Sequence, residues 1–146
     1  MNGNLLIVDD EPLILEILKF RLKKLADEVF LASNGVEALE QLKLNQVHCV
    51  ICDINMPKMN GVQVIRNIRA QGNEVPFIFY TAHGNHEYML EAAKYGAFDF
   101  LSKPELEGIE DVVRHALHVG ISRSKGHVPE TDYIADFMKL LERKDK

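Results

Sequence analysis

Five side chains suited to phosphate chemistry stand directly after short apolar runs: Asp9 and Asp10 after LLIV, Asp53 after VIC, Thr81 after FIFY and Lys103 after FLS. Taken singly, each has an ordinary reading. An Asp or Thr closing an apolar run commonly forms a turn or caps a helix, and a Lys is commonly a solvated charge. Taken together they describe a reaction site. Three carboxylates brought to one place repel one another and raise at least one pKa, unless a cation or a proton lies between them. An oxygen-only donor set of this kind suits a hard ion such as Mg²⁺, which keeps several waters and takes one or two carboxylates plus a phosphate oxygen. A carboxylate nucleophile, a divalent ion, a hydroxyl and an ammonium are the parts needed to move a phosphoryl group onto aspartate. Asp53 would attack in line, Thr81 would donate to one phosphoryl oxygen, and the ion and Lys103 would neutralise charge on the others.

Whether these groups meet depends on the elements that carry them. Runs of β type at 5–8, 28–32, 47–52, 75–80 and 98–101 alternate with helical patterns. Pro12 suits a first helical position, ahead of a stripe of Ile14, Leu15, Leu18, Leu22 and Leu25. Asn34 with Glu37 predicts a capping box and a helix that turns Val36, Leu39 and Leu42 inward. Gly61 introduces a helix carrying Val64, Ile65 and Ile68, and a helix over about 85–95 ends at Gly96 as its C-cap. The last helix of this region gathers Ile109, Val112, Val113, Ala116 and Leu117 on one face. Strands separated by helix-length patterns predict an α/β fold of repeated βαβ units, a five-stranded parallel sheet with helices on both faces. The unbroken apolar runs LLIV and VPFIFY agree with strands buried on both sides. Such sheets bind ligands outside the carboxyl ends of their strands, where all five polar groups fall.

Composition narrows the classes further. A length of 146 residues suits one domain with a single core. A formal charge of −5 leaves no basic footprint for nucleic acid or anionic lipid, and no apolar run approaches the about eighteen residues of a membrane span. The start MNGNLLIVDDEP has no basic n-region, so a soluble, cytoplasmic protein is expected. Cys49 and Cys52 form a C-x-x-C inside a strand, where residues three apart point to opposite faces. Two small buried residues are expected there rather than a redox pair or a zinc site. His48, His86, His115, His118 and His127 have no carboxylate or thiol partners at metal-ligand spacing and read as solvated or packing residues.

The motifs IVDDEP (7–12), DINMPKMNG (53–61), YTA (80–82) and GAFDFLSKP (96–104), in this order, resemble the receiver domain of bacterial two-component response regulators over roughly residues 3–120. The resemblance implies a doubly wound, flavodoxin-like sheet of strand order 2-1-3-4-5 in a chemotaxis-regulator-like receiver domain spanning residues 1–122. It implies a phosphorelay role, in which Asp53 accepts a phosphoryl group from a sensor histidine kinase or a histidine phosphotransfer protein. Catalysis would be limited to the chain's own phosphoryl transfer and autodephosphorylation, so no enzyme acting on other substrates is expected. Carried over position by position, Asp10 and Asp53 would ligate Mg²⁺ directly, with Mn²⁺ as a substitute, Asp9 would act through water and Asn55 through its backbone carbonyl. Thr81 and Lys103 would bind the phosphoryl group, and the bond to Pro104 would be cis. A switch is implied as well: the phosphoryl group draws Thr81 inward and Phe100 turns into the space behind it. Phe100 lacks the hydroxyl of Tyr and is expected inward even without phosphate. Asn55 and His83 occupy positions that tune hydrolysis of the aspartyl phosphate.

Departures from the family pattern concern output. Glu105 follows Lys103-Pro104 and no helix-turn-helix pattern comes after it, so an unidentified protein effector is expected rather than DNA. Residues 123–146 form an extension in which Gly126–Pro129 reads as a break and Thr131 or Asp132 can cap a helix carrying Ile134, Phe137, Met138 and Leu141. That stripe needs a partner: the receiver itself, a second protomer in a homodimer, or another protein. Two alternatives stay open, a pseudo-receiver that binds partners without phosphorylation and the receiver fragment of a longer regulator. A nucleotide enzyme would need a glycine-rich loop after the first strand. A phosphatase of the haloacid-dehalogenase kind would need D-x-D where Asp9-Asp10-Glu11 stands.

Overall fold

The computed structural model describes residues 1–82 and 86–126. The chain alternates β1 (Asn4–Val8), α1 (Pro12–Leu22), β2 (Glu28–Ala32), α2 (Gly35–Leu44), β3 (Cys49–Cys52), α3 (Gly61–Ala70), β4 (Phe77–Thr81), α4 (His86–Lys94), β5 (Asp99–Ser102) and α5 (Ile109–Ser124), with a short 3-10 turn at Lys23–Leu25. All pairings are parallel and the strand order is 2-1-3-4-5, the doubly wound sheet expected from the sequence. The order reverses between β1 and β3, which opens a crevice at their carboxyl ends.

The two-residue period of the strands divides the core. Leu6, Val8, Val50, Cys52, Phe77 and Phe79 face α2, α3 and α4, while Leu5, Ile7, Cys49, Ile51, Ile78 and Tyr80 face α1 and α5. Cys49 and Cys52 thus lie on opposite faces, both buried and free. Burial pushes both thiols above their ordinary range, which leaves them small core residues rather than nucleophiles.

Each helix forms for a local reason. Pro12 opens α1, and Leu15, Leu18 and Leu22 are its buried face. Asn60 caps α3 in a full capping box with Gln63, and Val62, Val64, Ile65 and Ile68 are buried behind it, each contributing about 1.5–3 kcal/mol of transfer free energy. At α2 the Asn34 side chain accepts from the Glu37 amide at 2.9 Å, but Glu37 reaches back to the Ser33 amide, one residue earlier than a closed box requires.

Two expectations shift. Val36 is 45% exposed rather than inward, because α2 approaches through Gly35 and Ala38. A side chain on Gly35 would come within 2.8 Å of Met59, and close packing at that point turns Val36 out. β3 and β4 begin two residues later than the apolar runs suggest. In β4 the reason is Pro76, which has no amide to give the ladder. His48 is fully buried: its Nδ1 accepts from the Asn4 amide at 2.8 Å, and its backbone lies under α5, where a Cβ on Gly120 would sit 1.7 Å from the His48 carbonyl oxygen. Burial lowers the His48 pKa from its ordinary 6.5, against a smaller opposing pull from Asp27.

Candidate functional site

Parallel register builds the site. Val8 and Cys52 are Cα partners across β1 and β3, so the residues that follow, Asp9 and Asp53, leave the sheet side by side. The Asp53 amide still bonds to the Val8 carbonyl at 3.0 Å, which holds the post rigid to its last residue. Behind it, the Cys52 thiol donates to the Asp53 carbonyl at 3.2 Å. α3 begins directly beneath. A Cβ on Gly61 would lie 2.4 Å from the Asp53 carbonyl oxygen, so only glycine lets the helix approach this closely.

Carboxylate oxygens of Asp9, Asp10 and Asp53 lie within 4.8 Å of one another. Asp9 and Asp53 are buried and Asp10 is exposed, so the cluster has one open side. Lys103, carried past the end of β5, places its Nζ 2.7 Å from Asp9 Oδ2 and 3.0 Å from Asp53 Oδ2. The other Asp9 oxygen accepts from the Glu11 amide at 2.9 Å, and the other Asp53 oxygen is 3.3 Å from the Asn55 amide. Burial holds the Asp9 carboxyl above its ordinary value of 3.8, opposed chiefly by the hydrogen bond from Lys103. For Lys103, burial works against the ammonium, but its hydrogen bonds to Asp9 and Asp53 outweigh that and raise its pKa, so it stays charged throughout the neutral range.

The remaining candidates surround this ion pair. Thr81 ends β4, buried, and its carbonyl accepts from the Lys103 amide at 2.9 Å. The Lys103–Pro104 peptide bond is cis. Phe100 is partly buried and stacks on Phe79 with ring centroids 5.7 Å apart and planes 18° from parallel. Asn55 is exposed on the loop after Asp53. His83 lies outside the described residues, as do His127 and the stripe from Ile134 to Leu141.

Sequence reasoning missed two contributors. Tyr80 packs its ring 5.8 Å from Lys103 Nζ on the face opposite Thr81, and Gly61 carries the close approach under Asp53. The two-residue period signalled the first, since the neighbour of Thr81 must point to the other side. Nothing in the sequence signalled how near α3 comes.

The sequence profile of the response regulator receiver domain matches residues 5–114. The chain belongs to that family. It is 38% identical over 104 residues to the transcriptional regulatory protein SrrA of Staphylococcus aureus, a match covering 71% of this chain and 43% of that protein. The chain therefore spans less than half the length of the curated relatives it matches. Among solved structures, the receiver domain protein of Clostridium thermocellum is 33% identical, with a TM-score of 0.72 over 84% of this chain and 97% of that one. The signal receiver domain of an HD domain-containing protein from Pseudomonas fluorescens is 26% identical, with a TM-score of 0.77 over 82% of this chain and 98% of that one. Receiver domains of this family act in two-component phosphorelay signalling as phosphoacceptors, and the acidic cluster lies where their chemistry requires one. Among the described residues, no helix is long and apolar enough to cross a membrane.

Proposed function

We propose that this receiver accepts a phosphoryl group on Asp53 from a phosphohistidine of a sensor kinase or phosphotransfer protein. The observation that supports it most is the pairing of buried Asp53 with Lys103 at 3.0 Å, beside two further carboxylates and open on the Asp10 side. An oxygen of Asp53 attacks phosphorus, the P–N bond breaks, and the imidazole leaves as the neutral base after taking a proton. Lys103 keeps one Asp53 oxygen partnered and is placed to follow the phosphoryl oxygens as charge arrives on them. Thr81, next to it at the end of β4, supplies the hydroxyl that marks the phosphorylated state, and Phe100 is the aromatic that answers by closing further on Phe79.

The donor set fits a hard divalent ion: oxygen atoms only, mutually within 4.8 Å, with Asp10 open to solvent. Asp10 and Asp53 would hold Mg²⁺ or Mn²⁺ directly with the Asn55 carbonyl, and Asp9, whose two oxygens already serve Lys103 and the Glu11 amide, would act through water. When bound, the ion supplies positive charge to the transferring phosphoryl oxygens. Asn55 and His83 would set the lifetime of the acyl phosphate, and the output partner would be a protein.

Incubation of the full chain with Mg²⁺ and acetyl phosphate, followed by intact-mass measurement, tests the assignment. A base-labile phosphoryl adduct should form on wild type and be absent from Asp53→Asn. Label that persists on the variant overturns it.

A further inference from the structure

Lys103 reaches its two carboxylates from across β4. Cys52 and Phe79 are Cα partners, and so are Tyr80 and Leu101, so Asp53, Tyr80 and Leu101 fall in one row across β3, β4 and β5. Tyr80 packs into the core that faces α1 and α5, together with Ile7 and Ile51, and the two-residue period carries Asp9 and Asp53 onto that same side. Lys103, two residues past Leu101, continues the β5 row there. Because β4 lies between β5 and β3, strands about 4.8 Å apart leave the side chain about 10 Å to cover, over the end of β4. Tyr80 is the last residue of β4 on that face, and its ring centroid lies 5.8 Å from Lys103 Nζ.

We infer that Tyr80 is a positioning residue for Lys103: the negative face of its ring holds the ammonium at the site while the carboxylate contacts are exchanged for phosphoryl oxygens. Tyr80 is buried and the Lys103 side chain is 13% exposed, so little water screens the attraction. Among the described residues the ammonium has three contacts. Those with Asp9 and Asp53 are the two that phosphoryl transfer disturbs, since Asp53 gives up the charge on the oxygen that bonds to phosphorus and a divalent ion draws on the same carboxylates. A ring face neither ligates a hard ion nor binds a phosphoryl oxygen, so the third contact survives the change. Without it, the flexible four-carbon stem of lysine spreads the ammonium over several rotamers as soon as its carboxylate bonds loosen. The role in transfer rests on the phosphoacceptor reading; the hold of the ring on the ammonium does not.

Changing the ring electronics at position 80 in the full chain, at nearly constant shape, tests this. Phosphorylation by acetyl phosphate at saturating Mg²⁺, in which an Asp53 oxygen bonds to phosphorus and acetate leaves, is followed by intact mass. The order of the Lys103 ammonium is read by nitrogen NMR relaxation without metal or phosphodonor. Pentafluorophenylalanine at position 80 keeps the shape and reverses the charge of the ring face; it should slow phosphorylation roughly 5- to 30-fold and raise the mobility of the ammonium, as should Tyr80→Leu. Tyr80→Phe, which keeps the ring and loses the hydroxyl, should restore both to within about twofold of wild type. A fluorinated ring that leaves the rate and the ammonium order at wild-type values overturns the inference, whether or not Tyr80→Leu folds, and so does a Phe variant as slow as the Leu variant. Wild-type chain that takes up no phosphate overturns the phosphoacceptor reading instead, and the ammonium order then decides the hold of the ring by itself.

Discussion

Replacing Lys103 by Met removes the one ammonium that bridges Asp9 and Asp53 while keeping an unbranched side chain of similar length. At an effective dielectric of about 20, contacts of 2.7 and 3.0 Å are each worth about 6 kcal/mol of gross attraction. Much of that offsets the desolvation of three groups whose side chains are 13%, 2% and 7% exposed. Breaking a buried pair from one side leaves uncompensated charge and costs about 3–5 kcal/mol, which for a chain of this length lowers Tm by about 10–15 °C. The loss should depend on pH. Without Lys103 the Asp9 carboxyl, already above its ordinary 3.8 through burial, moves further up. Between those values the folded state holds more protons than the unfolded state, so the variant loses stability as pH rises through the window. Urea unfolding of wild type and variant at pH 5 and pH 8 measures this, and the difference between them should be larger at pH 8. Arg21→Met, which removes the half-buried pair with Glu110 at the surface, should have a much smaller effect at both. An equal loss at the two pH values, or a loss no larger than that of Arg21→Met, would refute the claim that burial and like charge govern the site.

Two further outcomes follow from the opposite edge of the sheet. Gly120→Ala should destabilise the chain even though alanine favours a helix by about 1 kcal/mol, because α5 must retreat more than 1 Å to clear the His48 carbonyl at 1.7 Å. A net loss of about 2 kcal/mol is expected in thermal melts, and a raised Tm would contradict the packing argument. For His48, the unfolded imidazole titrates at its ordinary 6.5 while the buried one resists protonation. The unfolded state therefore binds more protons just below 6.5, and stability is full above that value and falls as pH drops through it. Substituting His48→Asn, which keeps an acceptor for the Asn4 amide, should flatten that slope; identical slopes between pH 5 and 7 would exclude His48 as the source.

What could be read from the sequence was what depends on local period and register. Strands of period two placed Cys49 and Cys52 on opposite faces, and polar residues directly after four apolar runs were bound to share one edge once the runs were parallel. The element count and the residues of the acidic cluster were within reach on that basis, and the family resemblance supplied the strand order. Val36 was misplaced because helical periodicity says which residues share a face, not which face the neighbouring element can approach; Gly35 and Met59 decided that. The capping box at Asn60 and Gln63 was overlooked in favour of Gly61 alone, though its N-x-x-Q spacing was there to be read.

By itself, then, the sequence determined the parallel sheet covered on both faces, the edge at which chemistry occurs and the aspartate presented there, because each follows from patterns only a few residues long. Tertiary structure decided that Lys103 bridges Asp9 and Asp53 while Asp10 faces solvent, that Gly61 admits α3 under the phosphoacceptor, and that His48 is sealed beneath Gly120. Those are distances between residues separated by up to 94 positions. They depend on how closely finished elements pack, a quantity that no local pattern encodes.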